Sequence, residues 1–463
     1  MNTLQLHLEE IKLAFNHDPY PSYATRKEWI ERIVDMVTKN EENLCKVISA
    51  DFGIRHPTET RLTEILAIKQ AAKYTIKNLK SWMEAIPVEV PFHLKPSKAK
   101  IMPQPKGVVG ILSPWNYPIQ LALIPAIAAI AAGNRVLLKP SEKSPRTSGY
   151  LATLIGEYFH PLEFSVILGD TEIASQFSSL PFDHLFFTGS TSAGRHVMRA
   201  AADHLTPVTL ELGGKSPAII HDDANIEDAA KRIIYGKLLN GGQTCIAPDY
   251  ILIQEKRIDA CINALRSAAQ KMYGQPNSMT TAINEEQQIR WANLITNATN
   301  EGAHVTPLLE TSTHPLTPTV LTNVSTSSRV FKEEIFGPIL PIISVESQSD
   351  IIKHIQQQDR PLALYWFGKD KKILEEILTK THAGGVTIND TLLHITIEDL
   401  PFGGIGASGM GAYHGKTGFN TFSHLKPILE TKGFFGMRRF SGTKLAHPPY
   451  GKIVEKLIDY LGK

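Results

Sequence analysis

The sequence predicts an α/β protein built on a doubly wound parallel sheet, followed by a second α/β unit. From Gly107 onward, short apolar runs alternate with helical patterns, which is the arrangement of parallel strands joined by crossover helices. Before that point, apolar residues such as Trp29 and Ile33 recur at helical spacing. A second series of apolar runs begins near Thr209. Because 463 residues exceed the size of one ordinary core, we expect two or three domains.

The individual elements follow in order along the chain. Helices are predicted up to about residue 80, and the proline-bounded segment Pro87–Pro91 then indicates an exposed strand that pairs outside its own domain. Residues 119–132 form the longest apolar stretch, which predicts a buried helix. Buried strands are predicted at 108–112, 135–140, 164–168 and 184–187 in the first unit and at 249–254 and 339–345 in the second.

The composition excludes several classes of protein. The chain is 42% apolar and 20% charged with a formal net charge of +2, which gives no reason to expect nucleic acid as a partner. Three cysteines at unrelated spacings indicate neither a disulfide framework nor a zinc site, so no metal is expected. Two of them, Cys45 and Cys261, lie in amphipathic helical sequence and are interpreted as small buried hydrophobes. The charged amino terminus and the lack of an apolar run of roughly 18–20 residues predict a cytoplasmic protein.

The carboxyl-terminal tail from Thr431 is basic, with seven Lys and Arg residues against two acidic residues. Within it, apolar residues including Ile453, Leu457 and Leu461 share one face of a predicted helix. A basic amphipathic helix can lie on a membrane surface, whereas docking on its own domain or on a dimer partner is the more ordinary arrangement. The tail therefore predicts a membrane contact that is at most peripheral.

Two segments predict the chemistry. Cys245 follows two glycines, which allow the chain to bring the sulfur close to a ligand, and a thiolate is a strong nucleophile. Glu211 follows the apolar run 207–210, and a carboxyl group at the end of a buried strand has a perturbed pKa suited to a general base. Together the two residues supply the nucleophile and the base of a covalent acyl mechanism. The segment Gly213–Ser216 imitates the end of a P-loop, but Thr209 stands where that motif requires glycine.

Three further segments have the residue types to bind a nucleotide or orient a substrate. The turn Gly189–Gly194 follows a strand and opens a helix, where a doubly wound sheet presents backbone N–H groups to phosphate. Lys139 and Glu142 close the preceding strand and could contact ribose hydroxyl groups. Asn116 lies between two prolines, whose stiffness could hold its amide as an oxyanion donor. Each segment taken alone is also compatible with a structural turn.

In their order along the chain, these segments resemble the aldehyde dehydrogenase superfamily. The resemblance covers about residues 20–430 and implies a Rossmann-like cofactor domain, an α/β catalytic domain and a small bridging element. It also implies that Cys245 is the nucleophile, Glu211 the general base and Asn116 the oxyanion donor. The motifs that carry it are Pro-Trp-Asn-Tyr-Pro, Lys-Pro-Ser-Glu, Phe-Thr-Gly-Ser, Glu-Leu-Gly-Gly-Lys-Ser-Pro, Gly-Gln-Thr-Cys and Glu-Glu-Ile-Phe-Gly-Pro.

The same resemblance implies NAD or NADP as the cofactor. Lys139 and Glu142 fall on the adenosine ribose, where the carboxylate of Glu142 disfavours a 2′-phosphate, and Gly189–Gly194 fall on the pyrophosphate. Glu334 and Phe336 match the nicotinamide-ribose ligand and its packing partner. The other implied cofactor-binding residues are Ser113, Pro114, Trp115, Ser141, Thr188, Gly189, Ser190, Gly194, Leu212 and Gly213.

Within the superfamily the chain is similar to the class 3 branch, which includes fatty, aromatic and coniferyl aldehyde dehydrogenases. The implied substrate is a medium- or long-chain aliphatic or an aromatic aldehyde, and the implied assembly is a homodimer. On this basis residues 1–85 and 104–209 are expected to form the NAD(P)-binding domain and residues 210–425 the catalytic domain. Residues 86–103 and 426–463 are expected to form oligomerisation or bridging segments and the tail.

Two other functions stay open at this stage. The first is an acylating enzyme that passes a thioester to coenzyme A, and Glu211 disfavours it because acylating branches typically lack a carboxylate there. The second is a catalytically silent binding protein on the same fold, which is disfavoured because every catalytic position is filled. Residues suggested for the lining of the substrate pocket are Tyr117, Leu121, Ile395 and His414.

Overall fold

The computed structural model describes residues 3–91, 94–310, 317–431 and 448–462. The first part of the chain is helical, as predicted, and its helices bury one face each; in the second helix Trp29, Ile30 and Ile33 are almost fully buried. These helices are α1 (Thr3–His17), α2 (Tyr23–Lys39), α3 (Glu41–Phe52), α4 (Pro57–Thr60) and α5 (Leu66–Met83), with a π-helical turn at Arg61–Ile65 between α4 and α5.

The first sheet has six strands in the order β15, β7, β6, β3, β4, β5, and all neighbours are parallel except β15 and β7. Every residue of β3, β4 and β6 is buried, as expected for strands covered on both faces. The strands are β3 (Val108–Leu112), β4 (Arg135–Lys139), β5 (Phe164–Val166), β6 (His184–Thr188), β7 (Val208–Glu211) and β15 (Gly409–Met410), and the connecting helices are α6 (Gln120–Ala131), α7 (Pro145–Tyr158), α8 (Thr171–Ser178) and α9 (Thr191–Ala202).

These elements confirm the four predicted strands of the first unit to within two residues and the predicted buried helix at 119–132. The second unit is predicted to begin near Thr209, which lies within β7. Strand β7 pairs in parallel with β6 and so completes the first sheet. An apolar strand followed by glycines has the same local pattern in either sheet, and only its pairing with residues more than twenty positions away decides between them.

The second sheet has seven strands in the order β10, β11, β12, β9, β8, β13, β14, and only β10 is antiparallel to its neighbour. Its two predicted strands, 249–254 and 339–345, are confirmed as β9 and β12. The strands are β8 (Pro217–Ile220), β9 (Tyr250–Gln254), β10 (His304–Pro307), β11 (Thr319–Thr322), β12 (Ile339–Val345), β13 (Ala363–Phe367) and β14 (Gly385–Ile388). The helices that accompany them are α10 (Ile226–Leu238), α11 (Ile258–Tyr273), α12 (Glu285–Asn300), α13 (Arg329–Lys332), α14 (Gln348–Gln357) and α15 (Lys371–Lys380). The next helix, α16 (Gly415–Thr421), packs instead against α5 and α6.

A third, antiparallel sheet joins β1 (Ile86–Val88), β2 (Lys98–Pro105) and β16 (Ser423–Glu430). The exposed strand predicted at Pro87–Pro91 is found as β1, whose three residues are all exposed. The division of the chain into cofactor, catalytic and bridging domains stays a prediction. Since β7 lies in the first sheet and β16 in the third, the three sheets themselves do not end at the residues chosen for that division.

The predicted helix of the tail is present as α17 (Lys452–Leu461). The stretch 432–447 of the basic tail lies outside the described residues, and so do the side chains of Ile453, Leu457 and Leu461 on its predicted apolar face. None of the helices in the described ranges combines the length and hydrophobicity needed to cross a bilayer.

Candidate active site

Glu211 is the last residue of β7 and lies at the carboxyl edge of the first sheet. It is 3% exposed and is in register with Thr188, the last residue of β6. The backbone N–H of Gly189 donates to the Glu211 carbonyl oxygen at 3.0 Å. The predicted base and the predicted cofactor turn are therefore held side by side.

The carboxyl group of Glu211 has an unusual environment. Both of its oxygens are buried and have no hydrogen-bond partner among the residues that the structure describes. Burial raises the pKa of Glu211 well above its usual range, which confirms the perturbation expected from the sequence. A buried polar group without a partner is costly, so such a group marks a site of function more often than a site of stability.

The loop that carries Cys245 follows α10 through three residues with positive φ. These are Asn240 at 53°, Gly241 at 61° and Gly242 at 80°. A Cβ atom on Gly241 would lie 2.4 Å from the Thr280 carbonyl oxygen, and one on Gly242 would lie 2.5 Å from the backbone of Gly337. The glycines are needed because the backbone turns left-handed where other chain segments approach it closely.

Cys245 itself is half-buried, and the charges of two carboxyl groups act on its thiol. Burial is the main factor that raises the pKa of Cys245 to about 12, and the charges of Glu334 and Glu211 add to it. The backbone N–H groups of Cys245 and Ile246 face the sulfur and act in the opposite direction. The thiol is therefore neutral in the protein alone, close to a predicted base and to two backbone donors.

Asn116 follows β3 and is 3% exposed. Its side-chain Nδ2 donates to the Gln243 carbonyl oxygen at 3.0 Å, two residues before Cys245. Asn240 Nδ2 donates to both the Asn116 carbonyl, at 2.9 Å, and the Gln243 carbonyl, at 3.2 Å. A primary amide has two N–H donors, so one of those on Asn116 fixes its orientation and the second can serve a ligand.

The segments on either side of Cys245 are tied to other elements. Tyr117 shares a 2.6 Å hydrogen bond with the Thr244 hydroxyl, and the Tyr365 hydroxyl donates to the Ile246 carbonyl at 2.5 Å. Tyr117, one of the residues suggested for the pocket lining, is therefore a neighbour of the nucleophile loop. Of the other three, Leu121 and His414 are buried and Ile395 is half-buried.

The predicted ribose-binding residues lie at the carboxyl end of β4. Lys139 is its last residue and is 2% exposed, and its Nζ lies 3.2 Å from a Glu142 carboxyl oxygen. The Ser113 N–H donates to the Lys139 carbonyl at 3.2 Å, which joins this corner to the segment that continues through Pro114 to Asn116. Ser141 Oγ accepts from the Lys143 N–H at 3.2 Å and keeps the turn closed. The structure thus brings these predicted residues together.

The predicted pyrophosphate turn begins α9. Ser190 is its N-cap and accepts from the Ala193 N–H at 3.3 Å. A Cβ atom on Gly194 would lie 2.7 Å from Leu212, so glycine lets α9 approach the segment that follows Glu211. The turn has the geometry expected of an anion site at a helix N-terminus.

Glu334 lies against Gly213, where a Cβ atom would be 2.0 Å from its carboxyl oxygen. Burial and the nearby charge of Asp249 raise the pKa of Glu334 to about 8. Lys215, the lysine of the P-loop lookalike, forms an ion pair with Asp249 and donates to the Val330 carbonyl at 2.8 Å. It therefore supports the Glu334 segment, in agreement with the rejection of a P-loop.

Phe336 has a φ of 49°, which is strained for a residue other than glycine. Its ring packs edge-on against Trp115 with the centroids 5.5 Å apart. Arg290 donates to the carbonyl groups of both Glu334 and Ile335 and so holds the segment in place. Trp115 and Phe336, both predicted to bind the cofactor, are thus in contact although they lie 221 positions apart in the sequence.

Several unpartnered polar atoms fit a nucleotide cofactor. In the part of the chain that the structure describes, Ser113 Oγ, Thr188 Oγ1 and the Glu211 oxygens are buried without hydrogen-bond partners. They stand at the ends of three adjacent strands, β3, β6 and β7. Ligands of doubly wound sheets bind beyond the carboxyl ends of the strands, so the Ser113 and Thr188 hydroxyl groups can donate to a polar, phosphate-bearing group there. The Glu211 carboxyl, which repels phosphate when ionised, is not part of that donor set.

Sequence reasoning missed some residues of the site. Arg55 and Glu64 are fully buried beside the Asn116 segment, although charged residues in helical sequence normally indicate a solvated face. Lys237 is 1% exposed, and burial lowers its pKa to about 8. Its position on the last turn of the apolar face of α10 was the only signal available in the sequence.

These features define the class of protein. The model of the aldehyde dehydrogenase family matches residues 14–428, and the chain belongs to this family. The predicted family, fold class and enzyme class are confirmed: the protein is an enzyme that oxidises aldehydes.

Individual relatives refine this assignment. The chain is 43% identical to the "Probable coniferyl aldehyde dehydrogenase" of Pseudomonas aeruginosa, over 99% of this chain and 96% of that protein. It is 38% identical to the "Aldehyde dehydrogenase, dimeric NADP-preferring" of Mus musculus, over 97% and 98% of the two chains. Such relatives confirm the predicted similarity to the class 3 branch.

Solved structures agree with the fold. The substrate-bound state of Staphylococcus aureus AldH covers 100% of both chains with a TM-score of 0.92 at 37% identity. The NAD+ complex of an aldehyde dehydrogenase from Bacillus cereus covers 92% of this chain and 88% of that one, with a TM-score of 0.83 at 27% identity.

Proposed function

We propose that this enzyme converts a medium- or long-chain aliphatic or an aromatic aldehyde into the carboxylic acid through a thioester on Cys245. The observation that carries the proposal is the buried Glu211 carboxyl, which has no hydrogen-bond partner in the described ranges and lies close enough to Cys245 to raise the pKa of its thiol. A nucleophile and a base so placed serve formation and hydrolysis of an acyl intermediate.

NAD or NADP is the cofactor, and when bound it would supply a hydride acceptor and a positively charged nicotinamide ring that favours the Cys245 thiolate. Lys139 and Glu142 would hold the adenosine ribose, the turn at Gly189 the pyrophosphate, and Glu334 the nicotinamide ribose. Both cofactors have support, because the Bacillus cereus relative was solved with NAD+ and the mouse relative is named NADP-preferring. The exposed Glu142 carboxyl opposes a 2′-phosphate and so favours NAD.

In the first step the Cys245 thiol releases its proton to solvent, the resulting thiolate attacks the carbonyl carbon, and the negative charge moves to the former carbonyl oxygen. The free N–H of the Asn116 amide and the backbone N–H of Cys245 donate to that oxygen. When the C–H electron pair leaves as hydride, the oxygen regains its double bond and a thioester remains on Cys245.

In the second step Glu211 takes a proton from water, and the water oxygen attacks the thioester carbon. The C–S bond breaks, the carboxylic acid leaves and Cys245 becomes a thiolate again. A carboxyl whose burial raises its pKa holds this proton better than an exposed one does, which suits a general base.

We further propose that aromatic aldehydes with a polar ring substituent are preferred. The rings of His394, Phe402 and His414 stack, with Phe402 5.3 Å from His414 and 6.0 Å from His394. Both nitrogens of His414 are buried without partners within the described chain, and its φ is 84°. Strain combined with unsatisfied polar atoms suggests a ligand contact. The adjacent Tyr413 is close enough to Glu211 and Cys245 for their charges to add to the burial that raises the pKa of its hydroxyl. The stack of rings therefore lies near the reacting groups.

The assembly and location belong to the same proposal. The exposed edge of the third sheet supports a homodimer, and one relative is named dimeric. The unpaired state of all three cysteines suits the reducing conditions of the cytoplasm. The amphipathic α17, at the end of the basic tail, is compatible with no more than a peripheral membrane contact.

Reduction of NAD or NADP by a panel of aliphatic and aromatic aldehydes, without coenzyme A, tests the proposal. We expect turnover, with a higher kcat/KM for an aromatic aldehyde that carries a ring hydroxyl than for its unsubstituted analogue. His414→Phe should reduce the difference in kcat/KM between these two aldehydes. Strict dependence on coenzyme A would instead favour the acylating reaction, and absence of turnover with both cofactors would refute the proposal.

A further inference from the structure

The backbone of the segment that carries Asn116 is held by two side chains from distant parts of the chain. Arg55 Nη1 donates to the Asn116 carbonyl oxygen at 3.2 Å, and Asn240 Nδ2 donates to the same oxygen at 2.9 Å. The bond from Asn240 comes from the nucleophile loop, whereas the bond from Arg55 comes from the helical region. The carbonyl of Asn116 is therefore fixed from two directions.

The start of α6, four residues after Asn116, is held by Glu64. One oxygen of its carboxyl group accepts from the Ile119 N–H at 2.8 Å and from the Gln120 N–H at 3.1 Å. Ile119 is the N-cap of α6 and supplies no side-chain cap of its own. Glu64 thus takes the place of a capping residue, and its negative charge suits the N-terminal end of the helix dipole.

Arg55 and Glu64 also contact each other. Arg55 Nη1 lies 2.9 Å from the second Glu64 oxygen, and both side chains are fully buried. The other end of the guanidinium donates to the Thr63 hydroxyl at 3.0 Å, and its carbon lies 5.0 Å from the centre of the Tyr117 ring. A buried ion pair is weak support for stability, because burying both charges offsets most of their attraction. The ion pair between Arg55 and Glu64 therefore needs an explanation other than stability.

We propose that Arg55 and Glu64 are positioning residues that aim the free amide N–H of Asn116 at the oxyanion. Arg55 fixes the carbonyl of Asn116 itself, and Glu64 fixes the helix start toward which the segment runs. Neither residue touches the reacting atoms. The inference rests on the proposed role of Asn116 as oxyanion donor.

The opposite end of α6 supplies a matched control. Arg26 is also buried, at 1% exposure, and its Nη1 donates to the Ala131 carbonyl at 3.0 Å. It therefore makes the same kind of bond to the same helix, but at the carboxyl end and without contact to Asn116. Loss of either arginine contact should destabilise the fold, and only the contacts at the Asn116 end should matter for the chemical step.

The first test compares Glu64→Gln and Arg55→Lys with Arg26→Lys, using kcat, KM and Tm measured with aldehyde and NAD. We expect the two variants at the Asn116 end to lose about 10- to 100-fold in kcat with KM changed by less than about 2-fold, because the oxyanion contact forms only in the transition state. Arg26→Lys should lower Tm and keep kcat. Equal effects on kcat at both ends of α6 would overturn the proposal.

A double-mutant cycle separates positioning from a general structural effect. Asn116→Ala keeps the main-chain carbonyl that Arg55 contacts and removes only the amide. In that background we expect Glu64→Gln to lower kcat by less than about 2-fold further, because it acts through the amide already removed. If the kcat losses of Glu64→Gln and Asn116→Ala multiply in the double mutant, the positioning role is overturned. The oxyanion role of Asn116 would then still stand. If Asn116→Ala by itself kept full kcat, the oxyanion role would fail and the positioning role with it. Arg55→Lys replaces Glu64→Gln in the cycle if the latter does not fold.

Discussion

Cys245 and Cys261 lie in two regions of the molecule that give their thiols the same acidity. Burial raises the pKa of each to about 12. Cys261 is on the buried face of α11 and is 0% exposed, whereas Cys245 is half-buried in a loop after three left-handed residues. The acidity of the thiol in the free protein therefore does not identify the nucleophile; the backbone around it does.

The charges near the two thiols make the contrast sharper. The charges of Glu334 and Glu211 raise the pKa of Cys245, whereas the charge of Arg257 lowers the pKa of Cys261. Electrostatics alone would favour Cys261. Cys245 differs by having two backbone N–H groups at its sulfur and Asn116 nearby. In the proposed mechanism the Cys245 N–H and the Asn116 amide donate to the oxyanion formed after attack. The proposed mechanism therefore stabilises the transition state and not the thiolate of the free protein.

The largest effect is expected from removing each thiol in turn. Cys245→Ala should lower kcat by at least about 1,000-fold, since no other nucleophile replaces the sulfur. Cys261→Ala should keep kcat and reduce the free energy of unfolding by about 1 kcal/mol. Steady-state NADH formation and thermal melting measure both. Comparable losses of kcat in the two variants would show that Cys245 and Cys261 do not differ in function.

A somewhat smaller effect is expected at Glu211. Glu211→Gln should retain a single-turnover burst of NADH and lose about 100- to 10,000-fold in steady-state rate, because only hydrolysis of the thioester needs the base. Stopped-flow measurement separates the two phases. Equal loss of burst and steady-state rate would mean that Glu211 acts before the hydride leaves.

Alkylation tests the difference in access between the two thiols. Cys245 should react with iodoacetamide at least about 10-fold faster than Cys261, although their pKa values are alike, because only Cys245 is partly accessible. Peptide mass spectrometry after timed exposure gives both rates. Similar rates would show that the two environments are equivalent in solution.

The smallest effect is a pH dependence of stability. The folded protein holds the Glu211 proton more tightly than the unfolded chain does, since burial raises the pKa of Glu211 in the fold. Stability is therefore lost as pH rises above the unfolded value of about 4.3. We compare the Tm of Glu211→Gln with that of the unmodified enzyme at about pH 5 and at about pH 8. The Tm of the variant minus that of the unmodified enzyme should be about 1–3 °C larger at the higher pH. Cys261→Ala should shift Tm equally at both.

Much of this site could be predicted because its signals are local. Cys245 with its preceding glycines, Glu211 at a strand end and the turn at Gly189 are each written in a few consecutive residues. Their order along the chain was specific enough to indicate the family. The strands that enclose them followed from continuous apolar runs.

The parts that could not be predicted depend on contacts between distant residues. In the sequence, Glu64 looks like an ordinary charged residue on the surface of a helix. In the fold its carboxyl group lies against the start of α6, 55 positions later. Nothing in the local sequence of β7 indicates which of the two sheets this strand joins. Strands β13 and β14 were not predicted, although β13 is as apolar as those that were, and its parallel neighbour β8 is more than 140 positions away.

The central claim is that Cys245 carries the acyl group that Glu211 later releases. Mass spectrometry of Glu211→Gln, quenched after reaction with aldehyde and NAD, tests it most directly. We predict an adduct on the Cys245 peptide whose added mass equals that of the aldehyde less two hydrogen atoms. An unmodified Cys245 peptide in enzyme that has formed one equivalent of NADH, or the same adduct on Cys261, would contradict the account.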